Sequence, residues 1–379
     1  MKQMLRRIVG RGLMRRVVGA LSPWSRMGEV EPGYSIILGV PWGLRHLLNV
    51  NLRFLARTDR TGLSRVFVVF DRTERPGAEG VIAAAKAEFP DLPLEFCFYP
   101  RRAGRLVERI DVSTFYNSMN NVTALGRCRT RWALLHDFDL YPLVPNYFRD
   151  VIEKMQQEGL RFCGLELTPF DGLTDQDKII GTWCLGMDAK WLRNEHKPHE
   201  IFHRLATVET VKGRREVNLD PYSWLQTREP RRALVGTIDE TPCAHVRNLC
   251  STHLRFTTGR PAKVVWRLHY LWYLEWLGGG DGVEARRMTQ ATQRMHAATG
   301  PVLEVDGYKA DFAGTDPTCG NVLRDELTRM EVFLNGQVRP EVREFVSAFA
   351  LFLQRHAGPG RSGNGGAGTP ARVPAEAAA

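Results

Sequence analysis

The feature that most constrains the fold is an alternation of short apolar runs with segments of helical periodicity across residues 34–187. Tyr34–Val40 and Ser64–Phe70 are such runs, and Trp132–His136 is another that leads directly into Asp137. A short uninterrupted apolar run is typical of a strand buried on both faces. Strands that alternate with helices predict a mostly parallel, twisted sheet flanked by helices. The predicted fold class is therefore α/β, and ligands are expected beyond the C-terminal strand ends, where Val40, Asp71 and Asp137 lie.

The rest of this region continues the alternation, and the chain then becomes helical. Further strands are predicted over Leu92–Phe98, Arg161–Leu167 and Ile179–Met187. Helices are predicted over Arg45–Ala56, Gly80–Glu88, Ser113–Leu125 and Val144–Gln157, and beyond residue 255 over Val264–Leu277, Glu284–Ala298, Asp325–Asn335 and Glu341–His356. We therefore expect an α/β domain over 29–255, a helical region over 256–357 and a disordered Gly/Ala/Pro-rich tail over 358–379.

The positive charge is concentrated in the first 28 residues, which form a separate basic amphipathic segment. The chain carries a formal net charge of +10, and residues 1–28 contain seven Lys/Arg and no acid, which leaves only +3 for the rest. This distribution excludes the extended basic stripe of a nucleic-acid binder. Apolar residues from Leu5 to Leu21 recur at helical spacing among the arginines. This pattern is typical of a segment that binds an anionic membrane surface, of a helix that packs on the protein's own body, or of an Arg-rich transit peptide.

Cysteine usage and hydropathy bear on the compartment. The seven cysteines are an odd number and contain no C-x-x-C pair, and several lie in apolar runs, where a free cysteine acts as a small hydrophobe. The sequence has no stretch of 18 apolar residues that could span a bilayer. These features predict a cytoplasmic protein, with the N-terminal segment allowing peripheral attachment at the inner membrane surface.

The segment Arg131–Pro142 (RWALLHDFDLYP) contains the motif with the clearest chemistry. An apolar strand leads into Asp137 and Asp139, spaced i, i+2, so that both carboxylates can point into the crevice at the strand end. Carboxylate oxygens together with phosphate oxygens suit Mg²⁺ or Mn²⁺. An isolated D-x-D pair is common on loops, but its position at the end of a buried strand in a β/α pattern favours a metal-binding function.

The preceding helix supports the same interpretation. Asn117 and Asn121 lie at i, i+4 and therefore on one helical face. Asparagine is a poor helix former unless its amide has a polar partner. Three asparagines within five residues favour a binding role over simple helix capping.

These residues together resemble the donor-site segment of the LARGE-like glycosyltransferases and related GT-A enzymes. The resemblance covers Tyr116–Pro142. In those enzymes an N-x-x-x-N-x-A helix precedes a threonine/aromatic strand entry and then D-x-D-x-x-P. Asn117, Asn121, Thr130, Asp137, Asp139 and Pro142 fit this pattern, and Asn120 replaces the family's arginine. The resemblance implies a GT-A fold for the α/β domain, a nucleotide-diphosphate sugar donor, with UDP-sugars favoured, and a carbohydrate or glycoconjugate acceptor hydroxyl.

The resemblance also implies roles for individual residues. Asp139 would be the main ligand of a Mn²⁺ or Mg²⁺ ion, and Asp137 would reach the metal or the ribose. Asp71 would hold the nucleobase, and Asn117 and Asn121 would line the donor pocket. A histidine from the C-terminal half would complete the metal shell, and the candidates are His245 first and His253 second.

The candidates for the remaining roles each have a structural alternative. Asp220 is the best candidate for a catalytic base, with Asp239 and Glu240 in reserve, although Asp-Pro before a helix is also a common helix start. Trp183, Tyr222 and Trp224 could stack on a sugar, and Trp266, Trp272 and Trp276 could form a membrane-interface face. For both sets a position in the core is favoured.

Three other functions compete with glycosyl transfer. A nucleotidylyltransferase would have a basic, glycine-rich loop after the first strand, whereas this chain has Gly39–Gly43 (GVPWG) there. A phosphohydrolase built on His136–Asp137 would need further His and Asp ligands nearby, and no such set is evident. A non-catalytic, membrane-docked module is the third. The sequence contains no P-loop, H-E-x-x-H, G-x-S-x-G or G-x-G-x-x-G motif.

Overall fold

A computed structural model describes most of the chain: residues 12–110, 113–166, 180–202, 204–210, 213–219, 221–228, 235–238, 242–280 and 282–357. The predicted disordered tail and the first eleven residues lie outside this set.

A seven-stranded sheet forms the centre of the α/β domain. Its strands, in chain order, are β1 (Glu31–Val40), β2 (Leu63–Phe70), β3 (Leu94–Cys97), β4 (Thr130–His136), β6 (Phe162–Glu166), β7 (Ile180–Asp188) and β10 (Val235–Ile238). The spatial order is β10-β6-β7-β4-β1-β2-β3. β7 pairs antiparallel with both β4 and β6, and the other pairings are parallel. The mostly parallel sheet predicted from the sequence is confirmed.

Helices cover both faces of this sheet, as predicted. They are α2 (Leu48–Ala56), which follows a 3-10 helix (Trp42–Leu47), α3 (Ala78–Glu88), α4 (Arg101–Ile110), α5 (Ser113–Leu125), α6 (Tyr147–Glu158), α7 (Ala189–Glu195) and α8 (Ser223–Arg228). Alternate residues of β1 enter different cores: Ile36 and Leu38 pack with α2 and α6, whereas Ile37 packs with α5 and α7. All three are fully buried, which explains the uninterrupted apolar run.

Two short antiparallel pairs extend the domain. β5 (Leu140–Pro142) pairs with β11 (Cys243–His245), and β8 (Arg204–Thr210) pairs with β9 (Gly213–Leu219). The sequence analysis predicted none of these strands. Three-residue strands such as β5 and β11 are too short to show a period of two, so only their pairing defines them.

The C-terminal region is helical, as predicted, and packs on the same core. It contains α9 (Leu249–Thr257), α10 (Leu268–Gly278), α11 (Val283–Ala297), α12 (Thr318–Asn335) and α13 (Pro340–His356). The hairpin of β12 (Val302–Val305) and β13 (Tyr308–Asp311) is an addition that the sequence analysis missed. Trp272 is fully buried within α10, so this helix is a core element, in agreement with the favoured prediction. Within the described residues, no helix is both long and apolar enough to cross a bilayer.

The described part of the N-terminal segment packs on the protein's own body. Residues 12–20 form helix α1, in which Val18 is buried. The Trp24 indole donates to the carbonyl of His196 (3.1 Å), and the Met27 amide donates to Asn194 Oδ1 (2.8 Å). Leu13 remains 61% exposed. Of the alternatives for residues 1–28, packing is the one that residues 12–28 adopt.

All seven cysteines are described, none of them forms a disulfide, and five of them are buried. Their role as small buried hydrophobes agrees with the prediction.

Substitution of two glycines by alanine tests how closely the sheet packs against helix α6. A Cβ at Gly186 in β7 would lie 2.6 Å from Met155 Sδ and 2.8 Å from Val151 Cγ1, whereas a Cβ at Gly80 in α3 would meet nothing within 4 Å. We expect Gly186→Ala to lower the free energy of unfolding by about 1–3 kcal/mol through overpacking. The matched control, Gly80→Ala, should raise it by about 0.4–1 kcal/mol. Urea denaturation of both variants measures the two changes, and equal effects would contradict the close packing of β7 on α6.

Acid sensitivity should arise in the C-terminal core. Burial lowers the pKa of His269 to about 3, although a hydrogen bond to the Trp266 carbonyl opposes it. The unfolded chain, with a histidine pKa of about 6.5, therefore binds more protons, and stability falls as pH drops below about 6.5 toward 3. His269→Phe should reduce the slope of unfolding free energy against pH between about pH 4 and 6 by about 1.4 kcal/mol per unit.

The matched control for this measurement is His296→Phe, because the His296 side chain is 50% exposed. Urea unfolding at several pH values gives the slope for each protein. An unchanged slope in His269→Phe would show that this buried imidazole is not a source of acid sensitivity.

Candidate metal and donor site

Asp137 and Asp139 lie in a turn that backbone contacts hold at the end of β4. The Asp137 amide donates to the Trp183 carbonyl of β7 (2.9 Å), and the Leu140 amide donates back to the Asp137 carbonyl (3.2 Å). Between the two acids, Phe138 is buried. The apolar residue of the D-F-D triplet thus anchors the turn in the core, while the two carboxylates remain partly accessible.

The side chain of Asn51 in α2 holds this turn through hydrogen bonds. It is fully buried in α2, and its Nδ2 donates to the Phe138 carbonyl (2.9 Å) while its Oδ1 lies 3.1 Å from His136 Nε2. Burial lowers the pKa of His136 to about 3, so this imidazole is neutral at physiological pH and suits the role of a hydrogen-bond partner. His136 is therefore part of the scaffold and does not form a phosphohydrolase-type pair with Asp137.

His245 reaches the site through strand pairing. In the β5–β11 ladder, His245 is the partner of Leu140, next to Asp139, and the Val246 amide continues the ladder to the Asp139 carbonyl (2.9 Å). His245 Nε2 consequently lies 3.5 Å from Asp139 Oδ1. Asp137, Asp139 and His245 each offer one ligand atom, and these atoms lie within 4.8 Å of one another. The structure thus brings together the three residues that the sequence analysis named as metal ligands.

The electrostatics of Asp139 suit a cation site. Burial raises the pKa of this carboxyl, but the hydrogen bond and charge of His245 and the Leu249 amide outweigh burial and hold the pKa below its usual value. The Leu249 amide, at the start of α9, is 3.3 Å from Asp139 Oδ2. Asp139 is therefore ionised at neutral pH, as a metal ligand must be.

The residues around His245 form one wall of the crevice. The Trp183 and His245 rings are 4.6 Å apart between centroids, and the Arg247 guanidinium lies 5.2 Å from the Trp183 ring. Arg247 and Asn248 both have positive φ, 51° and 62°, and this turn directs α9 back toward Asp139. Trp183, for which a core position was favoured, therefore lies at the edge of the site, whereas Tyr222 is fully buried.

Asp71 follows β2, two strands away from β4. Its Oδ1 accepts a hydrogen bond from the Trp42 amide (2.7 Å), and the Arg72 guanidinium is 3.4 Å away. Burial raises the pKa of Asp71, and Arg72 and the Trp42 amide oppose this effect. Because neighbouring strands are about 4.8 Å apart, Asp71 lies roughly 10 Å from the D-F-D turn across β1.

The thiol of Cys250 lies within electrostatic reach of all three acids. Although the residue has exposed surface, desolvation raises the thiol pKa well above its ordinary value, and Asp139, Asp137 and Asp71 raise it further.

The asparagines of α5 bind one another. Asn121 Nδ2 donates to Asn117 Oδ1 and to the Asn117 carbonyl, both at 2.9 Å. Asn121 Oδ1 is buried and has no hydrogen-bond partner within the described residues. The residue before Asn117 is Tyr116, and the Arg72 guanidinium lies 4.5 Å from its ring. This part of α5 therefore lies close to the end of β2.

Asn120, the neighbour of Asn121 in α5, has a packing role. Its Oδ1 accepts a hydrogen bond from the Tyr99 hydroxyl (2.7 Å), and a Cβ at Gly39 would lie 2.4 Å from its Nδ2. The glycine in β1 is therefore needed for α5 to approach the sheet.

Of the other predicted site residues, His253 lies in a different cluster and three acids are not described. His253 lies outside the Asp137–Asp139–His245 group and belongs to a second cluster with His46 and Glu275. Asp220 and the reserve candidates Asp239 and Glu240 lie outside the described residues, so the assignment of the base stays a prediction.

The structure also supplies contacts that the sequence analysis missed. These are mainly backbone amides, from Trp42 to Asp71 and from Leu249 to Asp139. Backbone donors have no residue-type signature, so no sequence pattern could have identified them.

The fold is similar, at low TM-score, to several solved proteins. A mannosyltransferase from Pyrobaculum calidifontis, in complex with GDP-Man and Mn2+, has a TM-score of 0.39 and 13% identity, over 93% of this chain and 90% of that one. S. aureus TarS (1-349) in complex with UDP has a TM-score of 0.33 and 12% identity, over 85% and 90%. The 4-diphosphocytidyl-2C-methyl-D-erythritolsynthase from Anaerococcus prevotii has a TM-score of 0.32 and 11% identity, over 55% and 88%.

The sequence itself matches no protein-family model and no curated protein. Likenesses at this level do not by themselves assign a function to the chain.

Asn51 provides a test of how the site is positioned. Asn51→Ala would leave the buried Phe138 carbonyl and His136 Nε2 without their partner, and we expect a loss of about 1–3 kcal/mol in unfolding free energy. Asn49→Ala on the same helix is the matched control, because Asn49 bonds only the surface carboxylate of Glu88, and its effect should stay within about 0.5 kcal/mol. Urea denaturation measures both values, and equal losses would contradict the anchoring role of Asn51.

Proposed function

We propose that this protein is a GT-A-type, metal-dependent glycosyltransferase that moves a sugar from a nucleotide-diphosphate donor to an acceptor hydroxyl of a glycan or glycoconjugate. The observation that carries the proposal is the convergence of Asp137, Asp139 and His245 at the C-terminal end of β4, where one ligand atom from each residue lies within 4.8 Å of the other two. Ligands of open α/β sheets bind at this edge. The resemblance of Tyr116–Pro142, which includes Asp137 and Asp139, to donor-site segments supports the same proposal.

The donor atoms of the site fit a divalent cation. Two carboxylates supply hard oxygen ligands, and the imidazole of His245 supplies a nitrogen. The imidazole favours Mn²⁺ over Mg²⁺, because Mg²⁺ prefers all-oxygen surroundings. His245 Nδ1 is buried and has no hydrogen-bond partner within the described residues. When bound, the cation would neutralise charge that develops on the departing nucleoside diphosphate.

Residues at the ends of β2 and β4 would bind different parts of the donor. Asp71, held by the Trp42 amide, would accept hydrogen bonds from the nucleoside, with the Arg72–Tyr116 pair beside it. Asp137 and Asp139, about two strands away, would lie near the diphosphate. Arg247, which lies over Trp183, would add positive charge on the phosphate side, and Trp183 would offer a ring face to a sugar. Asp220 is proposed as the base.

Nucleotidyl transfer fits the structure less well. Such enzymes need a basic phosphate-gripping loop after the first strand. Here β1 leads into a 3-10 helix (Trp42–Leu47) whose first amide, that of Trp42, donates a hydrogen bond to the Asp71 carboxylate. Because this amide is already bound to a carboxylate, the loop favours nucleoside recognition over triphosphate binding.

A thermal-shift panel tests the proposal. UDP-, GDP- and CMP-sugars are added with and without Mn²⁺ to the wild type and to Asp139→Ala. A donor at about 100 times its dissociation constant should add roughly 2.7 kcal/mol of stability. We expect a Mn²⁺-dependent shift with one nucleotide, UDP being favoured, and loss of that shift in Asp139→Ala because the main ligand is gone.

The matched control is Asp91→Ala, an exposed aspartate outside the site. It should keep the donor shift, and circular dichroism should show that Asp139→Ala is folded. A full donor shift in folded Asp139→Ala would overturn the metal assignment. The absence of a shift with every nucleotide would overturn the donor class.

A further inference from the structure

A second group of metal-ligand side chains lies beside the donor crevice. His46 is on the 3-10 helix Trp42–Leu47, His253 is on α9, and Glu275 is on α10. One ligand atom from each residue lies within 4.8 Å of the other two. His46 Nε2 is 3.6 Å from Glu275 Oε1, and the two imidazole rings are 5.6 Å apart between centroids. Three separate helical elements therefore converge on one point.

The carboxylate of this cluster has unused ligand capacity. The side chain of Glu275 is fully buried. Its Oε1 accepts a hydrogen bond from Arg287 (2.8 Å), whereas its Oε2 is buried and has no hydrogen-bond partner within the described residues. A buried carboxylate oxygen without a partner is costly. A cation bound to it would remove that cost.

The Arg287 ion pair does not balance the charge of this region. Arg287 also donates twice to Asp306 Oδ2, at 2.8 and 3.0 Å. Two carboxylates, Glu275 and Asp306, therefore share one guanidinium, and a net negative charge remains next to the two imidazoles. Glu284 at the start of α11 lies near enough to raise the pKa of His253. The local charge thus favours a cation.

The two imidazoles differ in their surroundings. The His253 ring lies against Gly43 of the 3-10 helix, where a Cβ would be 3.6 Å from the ring. His46 is the accessible member of the cluster, with a side chain that is 35% exposed, and it leaves a route for an ion from solvent.

We propose that His46, His253 and Glu275 bind a second divalent cation of the zinc type. Two histidines and one glutamate are an established ligand set for Zn²⁺, and three protein ligands leave a fourth position for water. This site is separate from the Asp137–Asp139–His245 group and shares no ligand with it. The proposal stands whether or not the chain transfers a sugar.

The position of the site indicates a bracing role. The 3-10 helix that carries His46 also provides the Trp42 amide to Asp71, and α9, which carries His253, also provides the Leu249 amide to Asp139. Glu275 lies in the buried helix α10 of the C-terminal region. A cation at this point ties the C-terminal helices to the two elements that hold the donor-site carboxylates in place.

The test is calorimetric titration of Zn²⁺ alone into metal-stripped protein. The Asp139→Ala variant serves as the background, because it removes the main ligand of the first site. We expect one Zn²⁺ per chain in this background and a rise in melting temperature. Adding His253→Ala or His46→Ala should weaken Zn²⁺ binding by at least about tenfold, since a first-sphere ligand is lost.

Histidine variants are preferred to Glu275→Gln, because loss of the buried carboxylate would also unpair Arg287 and could unfold the chain. The matched control in the same background is His296→Ala, an exposed histidine on α11 that should leave Zn²⁺ binding unchanged. Unchanged Zn²⁺ affinity in the folded His46 and His253 variants, or no Zn²⁺ binding by folded Asp139→Ala protein, would overturn the proposal.

The Mn²⁺-dependent donor shift of His253→Ala, measured separately with Asp139 intact, distinguishes this proposal from the proposed transferase function. A donor shift without Zn²⁺ binding rejects only the second site. Zn²⁺ binding without any donor shift rejects only the transferase proposal.

Discussion

The arrangement of the site depends on how the turn after β4 is held. Phe138 is buried, its carbonyl is bound by Asn51 from α2, and the amides of Asp137 and Val246 connect the turn to β7 and to the strand that carries His245. Three regions of the chain, around residues 51, 183 and 246, therefore fix two carboxylates. Buried backbone groups must find partners, so the turn has little freedom to move away from this position.

The same elements stabilise the crevice and supply its charges. Trp42 at the end of β1 and Leu249 at the start of α9 donate amides to Asp71 and Asp139. Each of these hydrogen bonds favours the ionised form of the carboxylate that accepts it. The C-terminal helices thus complete the site: without α9 and β11, Asp139 would lose both His245 and its amide donor.

The C-terminal region joins the core of the α/β domain through apolar packing, and buried polar groups connect the helices within that region. Phe54 of α2 packs against Tyr141 and Phe333, and Glu331 of α12 accepts hydrogen bonds from Tyr273 and Arg339. Arg287 of α11 likewise donates to Glu275 of α10 and to Asp306. Because the Glu275 and Glu331 side chains are fully buried, we expect their ion pairs to specify how the helices are arranged more than to stabilise them.

The sequence by itself determined the α/β class, most strand positions and the placement of Asp137 and Asp139 at a strand end, because local periodicity and apolar runs report directly on burial. It also identified His245 as a candidate, but only pairing of β11 with β5, across about 100 residues, brings that imidazole to Asp139. The same dependence on long-range contacts separates His253 from that site and places it with His46 and Glu275. Backbone amide donors and strand pairings have no signature in residue types, so tertiary structure alone decided them.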